Sequence, residues 1–397
     1  MSRTGTIAIL TGGGDVPGLN PAIRAVTLRA SLEGYRVLGI RRGWGGLVDV
    51  VPHADADNSG AVVELTPEVV RRAGRTGGTF LHSSRTRPSH LPKAFVPEHL
   101  ASTYTDDIND ITPAIIDNLS FLGVDTLIPI GGDDTLSYGH RLHGEGVNVI
   151  AIPKTMDNDV PGTDYCIGFS TCVTRTIELT HRLRTSAGSH ERILVIEVFG
   201  RYAGYSALVP AMAGASDRCV IPEHPFDVER LTELLVADRN TNPSRYSVVL
   251  VSEGATMSGH SEMTFAGEEA DQYGHKRLGG IGDRVSAAIK ELTPRFNSGR
   301  TINVTSQRLG YLVRSGDPDA LDSIVPMAFG NLALDLIRQG QSGRLVAVRN
   351  GVYDSVAIDE VVGEKKVVDV DQFYETDRLR PKYTTFADKP LFIMTSG

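Results

Sequence analysis

A chain of 397 residues, 41% hydrophobic and 22% charged, has the composition of a globular protein and room for one large domain or two to three ordinary ones. Its formal net charge of −8 argues against a general nucleic-acid or membrane-surface role, and no apolar run reaches the ~18–20 residues of a bilayer span. The opening stretch MSRTGTIAILTGGGD lacks the hydrophobic region and cleavage site of a secretory signal, so a cytoplasmic location is expected. Cys166, Cys172 and Cys219 form no CxxC pair, which argues against a disulfide framework or a structural zinc.

Strands and helices alternate along the first half. GTIAIL reads as a strand and TGGGDVPGLN (11–20) as a turn. NPAIRAVTLRASLEG reads as a helix with Asn20 as N-cap, Pro21 in the first helical position and Gly34 as the stop. YRVLGI is the next strand. ITPAIIDNLSFLG is an amphipathic helix and VDTLIPI a strand. GGDDT (131–135) is a second glycine turn, a helix continues through LSYGHRLHGEG, and VNVIAIP is a further strand. In the second half CVTRTIELTHRLRTSA and RVSAAIKELT read as helices, and RILVIEVFG and RYSVVLVSEG as strands. The polar, glycine-rich 258–280 reads as a surface insertion, and the tail as short β-rich pieces around an NG turn. The alternation predicts an α/β fold with mostly parallel sheets in two interleaved lobes.

The two glycine turns invite a phosphate reading. Glycine lets backbone N–H groups approach a ligand, and the helix that follows offers its positive end. Sheets of this kind bind ligands at the carboxyl ends of their strands. A tight structural turn is the competing reading of 11–20, and no GK[ST] follows to make it a P-loop. In GGDDT a carboxylate beside phosphate is repulsive unless a divalent cation lies between, which gives Asp133 a role as Mg²⁺ ligand. The alternative is that Asp133 and Asp134 are helix N-caps.

The segment PKTMDNDVPGTDYCIGF (153–169) places Asp157, Asp159 and Asp164 near Lys154. It could hold a general base for phosphoryl transfer, with Lys154 as a cation beside the phosphate. A solvated acidic loop is the alternative.

These residues resemble the phosphofructokinase family. The likeness runs through GGGDVPGLNPAIR (12–24), GGTFLHSSR (77–85), GGDDT, PKTMDNDVPGTDYCIGF, SHERILVIEVFGRYAG (189–204), VVLVSEG (248–254) and LGYLVRSGDPDALD (309–322), in the family's order. It implies two interleaved three-layer α/β lobes, one over 1–170 plus about 313–343 and the other over 171–312 plus about 344–397. It implies phosphoryl transfer to the 1-hydroxyl of fructose 6-phosphate, with Mg²⁺ as cofactor. Asp157 is similar to the family's general base, and Asp133 to its metal ligand. Thr155, Met156 and Asp157 are similar to its sugar-contacting segment, and Gly13, Gly14 and Arg85 to its donor-binding groups. Glu253 resembles a sugar-hydroxyl acceptor. Phe199, Gly200 and Arg201 match an MGR segment with Phe in place of Met, and Arg201 would stabilise transition-state charge. Tyr311 and Arg314 stand where the family has a histidine and an arginine. Thr305 replaces a phosphate-binding arginine, with Arg308 as a substitute candidate. Arg192 resembles the arginine that reaches a neighbouring subunit's 6-phosphate, which implies a homodimer or homotetramer with a shared active site.

Two positions bear on the phosphoryl donor. ATP-dependent members usually have glycine where this chain has Asp134 and Lys154, whereas pyrophosphate-dependent members carry Asp and Lys there. Asp134 would repel the α-phosphate of ATP, which pyrophosphate lacks, and Lys154 would add positive charge beside the transferring group. Pyrophosphate is therefore the expected donor, in a reaction that runs in both directions. An ATP-dependent enzyme and a silent regulatory subunit are the rival readings. Retention of Asp133, Asp157 and Arg201 argues against the second.

Overall fold

The computed structural model describes residues 4–259, 265–270 and 276–382. Parts of the insertion expected at 258–280, and residues 383–397 of the tail, lie outside the described residues. The chain forms two compact units. One holds the chain up to Thr155, Val160–Gly168 and Ser315–Glu364. The other holds Met156–Asp159, Phe169–Arg314 and the chain from Lys365 on.

The first unit is built on a seven-stranded sheet. Its strands lie in the order Val352–Ala357, Arg344–Arg349, Ile150–Pro153, Thr126–Gly131, Gly5–Thr11, Tyr35–Ile40 and Val62–Glu64. The five inner strands are parallel to one another, and each edge strand pairs antiparallel with the strand beside it. Thr126–Gly131 and Ile150–Pro153 are buried throughout, as parallel strands covered on both faces must be. The expected NG turn is present: Asn350 and Gly351 have φ of 51° and 77°, the left-handed pair that a two-residue hairpin requires. That hairpin corrects the expected boundary near 343. Arg344 pairs with Ile150 and Leu345 with Ala151, so residues 344–364 belong to the first unit.

The helix Leu19–Leu32 starts at Gly18, whose φ of 110° and whose missing Cβ, 2.5 Å from Ile167 Cγ2 if present, both demand glycine. Asn20 is not the N-cap. It is buried, its amide donates to Thr76 Oγ1 at 2.9 Å and Gly77 O at 3.1 Å, and its oxygen accepts from the Phe80 N–H at 3.0 Å. Gly34, with φ of 83°, ends the helix as expected. The helix Leu321–Arg338 packs against Leu19–Leu32, where Gly330 admits Ala25.

The second unit has a four-stranded, wholly parallel sheet in the order Val304–Arg308, Ile193–Val198, Ser247–Ser252 and Arg218–Val220. Helices Phe169–Ser189, Tyr205–Met212, Val228–Thr241 and Ile281–Phe296 accompany it. Asp227 caps Val228–Thr241 by accepting from the Glu229 N–H at 2.8 Å. Among the described residues no helix is long and apolar enough to cross a membrane.

Candidate active site

In the first unit three adjacent parallel strands deliver the residues expected to bind the donor to one edge of the sheet. Gly5–Thr11 leads into Gly12–Gly14, Thr126–Gly131 into Gly132–Asp134, and Ile150–Pro153 into Lys154 and Thr155. The turns are stitched together by backbone bonds from Gly12 N to Ile130 O (3.0 Å) and from Lys154 N to Gly131 O (2.9 Å). Thr135 explains two of the glycines. A Cβ on Gly12 would lie 2.4 Å from its Oγ1, and one on Gly131 would lie 2.3 Å from its Cβ. These two glycines therefore serve packing.

Gly13 departs from expectation. Its N–H donates to Ser84 O at 2.9 Å, so that donor is taken up inside the protein rather than turned to a ligand. Its φ of 76° still requires glycine. Gly14 contributes its carbonyl, which accepts from Lys154 Nζ at 2.6 Å. Lys154 is only 4% exposed, so a buried cation lies against the loop, 3.4 Å from where a Gly13 Cβ would stand.

Asp133 and Asp134 are the first two residues of the helix Asp133–Gly144, whose N-cap is Gly132. Neither aspartate caps it. Asp134 is exposed, and its Oδ1 accepts from Arg87 Nη2 at 2.9 Å. Arg85, the expected donor contact, is exposed two residues earlier. Asp133 is half-buried, with Oδ1 shielded from water. Among the described residues no cluster of three His, Cys, Asp or Glu could hold a metal. One carboxylate at a helix N-terminus fits an ion that takes its remaining ligands from phosphate and water, as Mg²⁺ does.

In the second unit Phe199–Arg201, Glu253, Tyr311 and Arg314 follow the C-terminal ends of parallel strands, and Arg308 is the last residue of one. Gly200, with φ of 115°, turns the Phe199–Arg201 loop over the Glu253–Gly254 turn. A Cβ on Gly254 would lie 1.9 Å from Arg201 O, and Gly254 N donates to Gly200 O at 3.0 Å. Asp157 meets this edge. Burial pushes its carboxyl well above the usual aspartate range, helped by the charges of Asp159 and then Glu253, while a bond from the Arg201 backbone and the Arg201 charge pull the other way. The residue as a whole is half-buried, but its Oδ1 is closed to solvent, so desolvation acts on the atom that matters. A carboxylate with raised proton affinity beside an arginine is suited to taking a proton from a hydroxyl.

Arg308 is engaged by acid groups. Its Nε lies 3.1 Å from Glu197 Oε1 and its Nη2 3.9 Å from Glu253 Oε2. Glu197 is buried, and its Oε2 also accepts the Gly280 and Gly282 N–H groups, each at 2.9 Å, holding the start of Ile281–Phe296. The signal for Glu197 was a charge inside the apolar run ILVIEV, which needs a partner when buried. Arg314 lies over the Tyr311 ring, 4.9 Å from its centroid, and Tyr311 is exposed.

Arg192 is held apart from these groups. It precedes Ile193–Val198, whereas Arg201 follows it, and six residues of strand separate the ends by about 20 Å. Its Nη1 lies 3.5 Å from Thr305 Oγ1.

A mostly parallel sheet with glycine-rich turns at its strand ends, and a wholly parallel one with the Asp157–Arg201 pair at its strand ends, define α/β units of the kind that bind ligands at those ends. Residues 6–337 match the family described as Phosphofructokinase, and the chain belongs to that family. It is similar to the pyrophosphate–fructose 6-phosphate 1-phosphotransferase of Streptomyces coelicolor, 39% identical over 91% of this chain and 96% of that protein. ATP-dependent 6-phosphofructokinase 3 of the same organism is 34% identical over 94% of this chain and 98% of its own length. The solved pyrophosphate-dependent phosphofructokinase of Marinobacter aquaeolei superposes with a TM-score of 0.68, covering 96% of this chain and 89% of that one. Its 19% identity speaks to the fold alone. The chain is thus an enzyme of the phosphofructokinase family, a kinase-type transferase of glycolysis.

Proposed function

We propose that this enzyme transfers a phosphoryl group from pyrophosphate to the 1-hydroxyl of fructose 6-phosphate, reversibly, giving fructose 1,6-bisphosphate and phosphate. The observation that carries the donor assignment is Lys154, a buried ammonium held on the Gly14 carbonyl at 2.6 Å within the glycine loops. A fixed cation there compensates the charge of a donor that brings no adenosine for positioning. Asp134, in the next turn, opposes a third phosphate.

Asp157 takes the proton from the attacking hydroxyl, and Arg201 beside it stabilises charge that develops on the transferring group. Glu253 accepts from sugar hydroxyls. Tyr311 and Arg314 receive the sugar phosphate, a planar guanidinium being suited to its oxygens. Asp133 would hold Mg²⁺, which when bound neutralises the donor phosphates. Arg192, remote from the other groups of its own chain, serves a neighbouring copy in a homo-oligomer.

ATP as donor is the second reading. Arg87 favours it by countering the Asp134 charge, and so do the ATP-dependent relatives. The deciding experiment assays pyrophosphate and ATP with fructose 6-phosphate and Mg²⁺, in both directions. Comparable kcat/KM for the two donors would overturn the pyrophosphate assignment.

A further inference from the structure

The second unit resumes at Lys365, and its first residues are tied to both loops that surround Asp157. On one side the Lys366 N–H donates to Asp159 O at 3.2 Å, and Lys365 Nζ lies 3.5 Å from Asp159 Oδ2. On the other side Lys365 Nζ sits 4.7 Å from the Tyr202 ring centroid, and Lys366 Nζ 5.7 Å from that of Tyr205. The Tyr205 hydroxyl donates to Val367 O at 2.6 Å. Glu223 Oε1 accepts both the Val368 N–H at 2.8 Å and the Gly204 N–H at 2.9 Å. The strand of chain from Lys365 to Val368 therefore laces Met156–Asp159 to the segment that follows Arg201.

Asp159 is 8% exposed and stands two residues from Asp157. The Asp159 charge acts against ionisation of Asp157, and a cation paired with Asp159 reduces that effect. We propose that Lys365, through its ion pair with Asp159, is a positioning residue that sets the electrostatic environment of the Asp157 carboxylate. The proposal rests on the reading of Asp157 as the general base.

The charges of Asp159 and Glu253 favour the protonated form of Asp157, and that of Arg201 opposes it. Lys365 offsets the contribution of Asp159. Without its charge, Asp159 acts on Asp157 at full strength and the base holds its proton to higher pH.

The test is the pH profile of kcat for the whole protein and five variants. Lys365→Met should move the acidic limb up by roughly 0.5–1 pH, read as a 3- to 10-fold loss of kcat below the limb, with the plateau retained. Lys365→Arg should restore the wild-type limb. Asp159→Asn should move it down, an arm that stands even if Lys365→Met does not fold. Lys365→Met added to Asp159→Asn should move it no further. A uniform loss of kcat at all pH values, or an equal upward shift in the Asp159→Asn background, would overturn the proposal. Asp157→Asn separates the two levels. If it leaves kcat and the acidic limb intact, the base assignment itself fails. If it abolishes turnover while the Lys365→Met limb stays put, only the role of Lys365 fails.

Discussion

Arg87 donates to Asp134 at 2.9 Å, so the carboxylate that marks the donor loop carries its own counter-charge. Both side chains are substantially exposed, which limits the pair to about 0.2–1 kcal/mol. Under the proposed reading of Asp134, the pair would temper the repulsion of a third phosphate. Arg87→Ala should therefore sharpen discrimination, lowering the ATP-to-pyrophosphate ratio of kcat/KM by about 2- to 5-fold. Asp134→Gly should raise that ratio by roughly 10-fold or more, and further when combined with Lys154→Gly. Steady-state kinetics with both donors checks each step.

Asp157→Asn should lower kcat by about 10²–10⁴-fold, as loss of a general base does. It should also raise the melting temperature at pH 7. The carboxyl's proton affinity is higher in the folded protein than in the unfolded chain. Such a group favours folding below its ordinary pKa, and that advantage is lost as pH rises through the folded value. At neutral pH the buried carboxyl is a liability that asparagine removes. Thermal melts from pH 5 to 8 should show the wild type losing ground to the variant as pH rises.

Gly12→Ala and Gly131→Ala should each destabilise the first unit by about 1–3 kcal/mol through overpacking against Thr135. The two should differ in rescue. Thr135→Ala removes the Oγ1 that Gly12→Ala would strike, but leaves the Cβ that Gly131→Ala would strike at 2.3 Å. Denaturant unfolding of the single and double variants should show partial recovery for the first only.

Arg308→Met should lower stability by about 1–3 kcal/mol, because it leaves the buried Glu197 carboxylate without its cation. A substrate-binding arginine would instead raise KM at unchanged stability. Measuring both quantities on one variant separates the roles.

Arg192 and Arg201 bracket the same strand, about 20 Å apart by its rise. If Arg192 serves a neighbouring copy, mixing the inactive Arg192→Ala and Asp157→Asn proteins and allowing subunits to exchange should restore roughly a quarter of wild-type activity in a dimer. No recovery from mixtures shown to exchange would assign Arg192 to its own chain.

Several elements were legible because their signals are local. The Asn350–Gly351 hairpin, the Gly34 helix stop and the apolar runs of the inner strands each depend on a residue's own φ or on its immediate neighbours. Asn20 was misread for the same reason. Its place before Pro21 is a sound local cap signal, but its side chain is bound by Thr76, Gly77 and Phe80, which no local rule anticipates.

Family membership, the α/β alternation and the kinds of side chain at each strand end were all written in residue order, because blocks and periodicity survive without coordinates. Folding alone decided which of those groups are already engaged. Gly13's N–H turns to Ser84, Asp134's charge to Arg87, Asp159's to Lys365 and Glu197's to Arg308. Each pair joins residues far apart in the chain, and only packing brings such partners within hydrogen-bonding distance. The loop GGDDT thus announced two carboxylates, while the fold determined that one is half-buried at a helix start and the other is paired with an arginine.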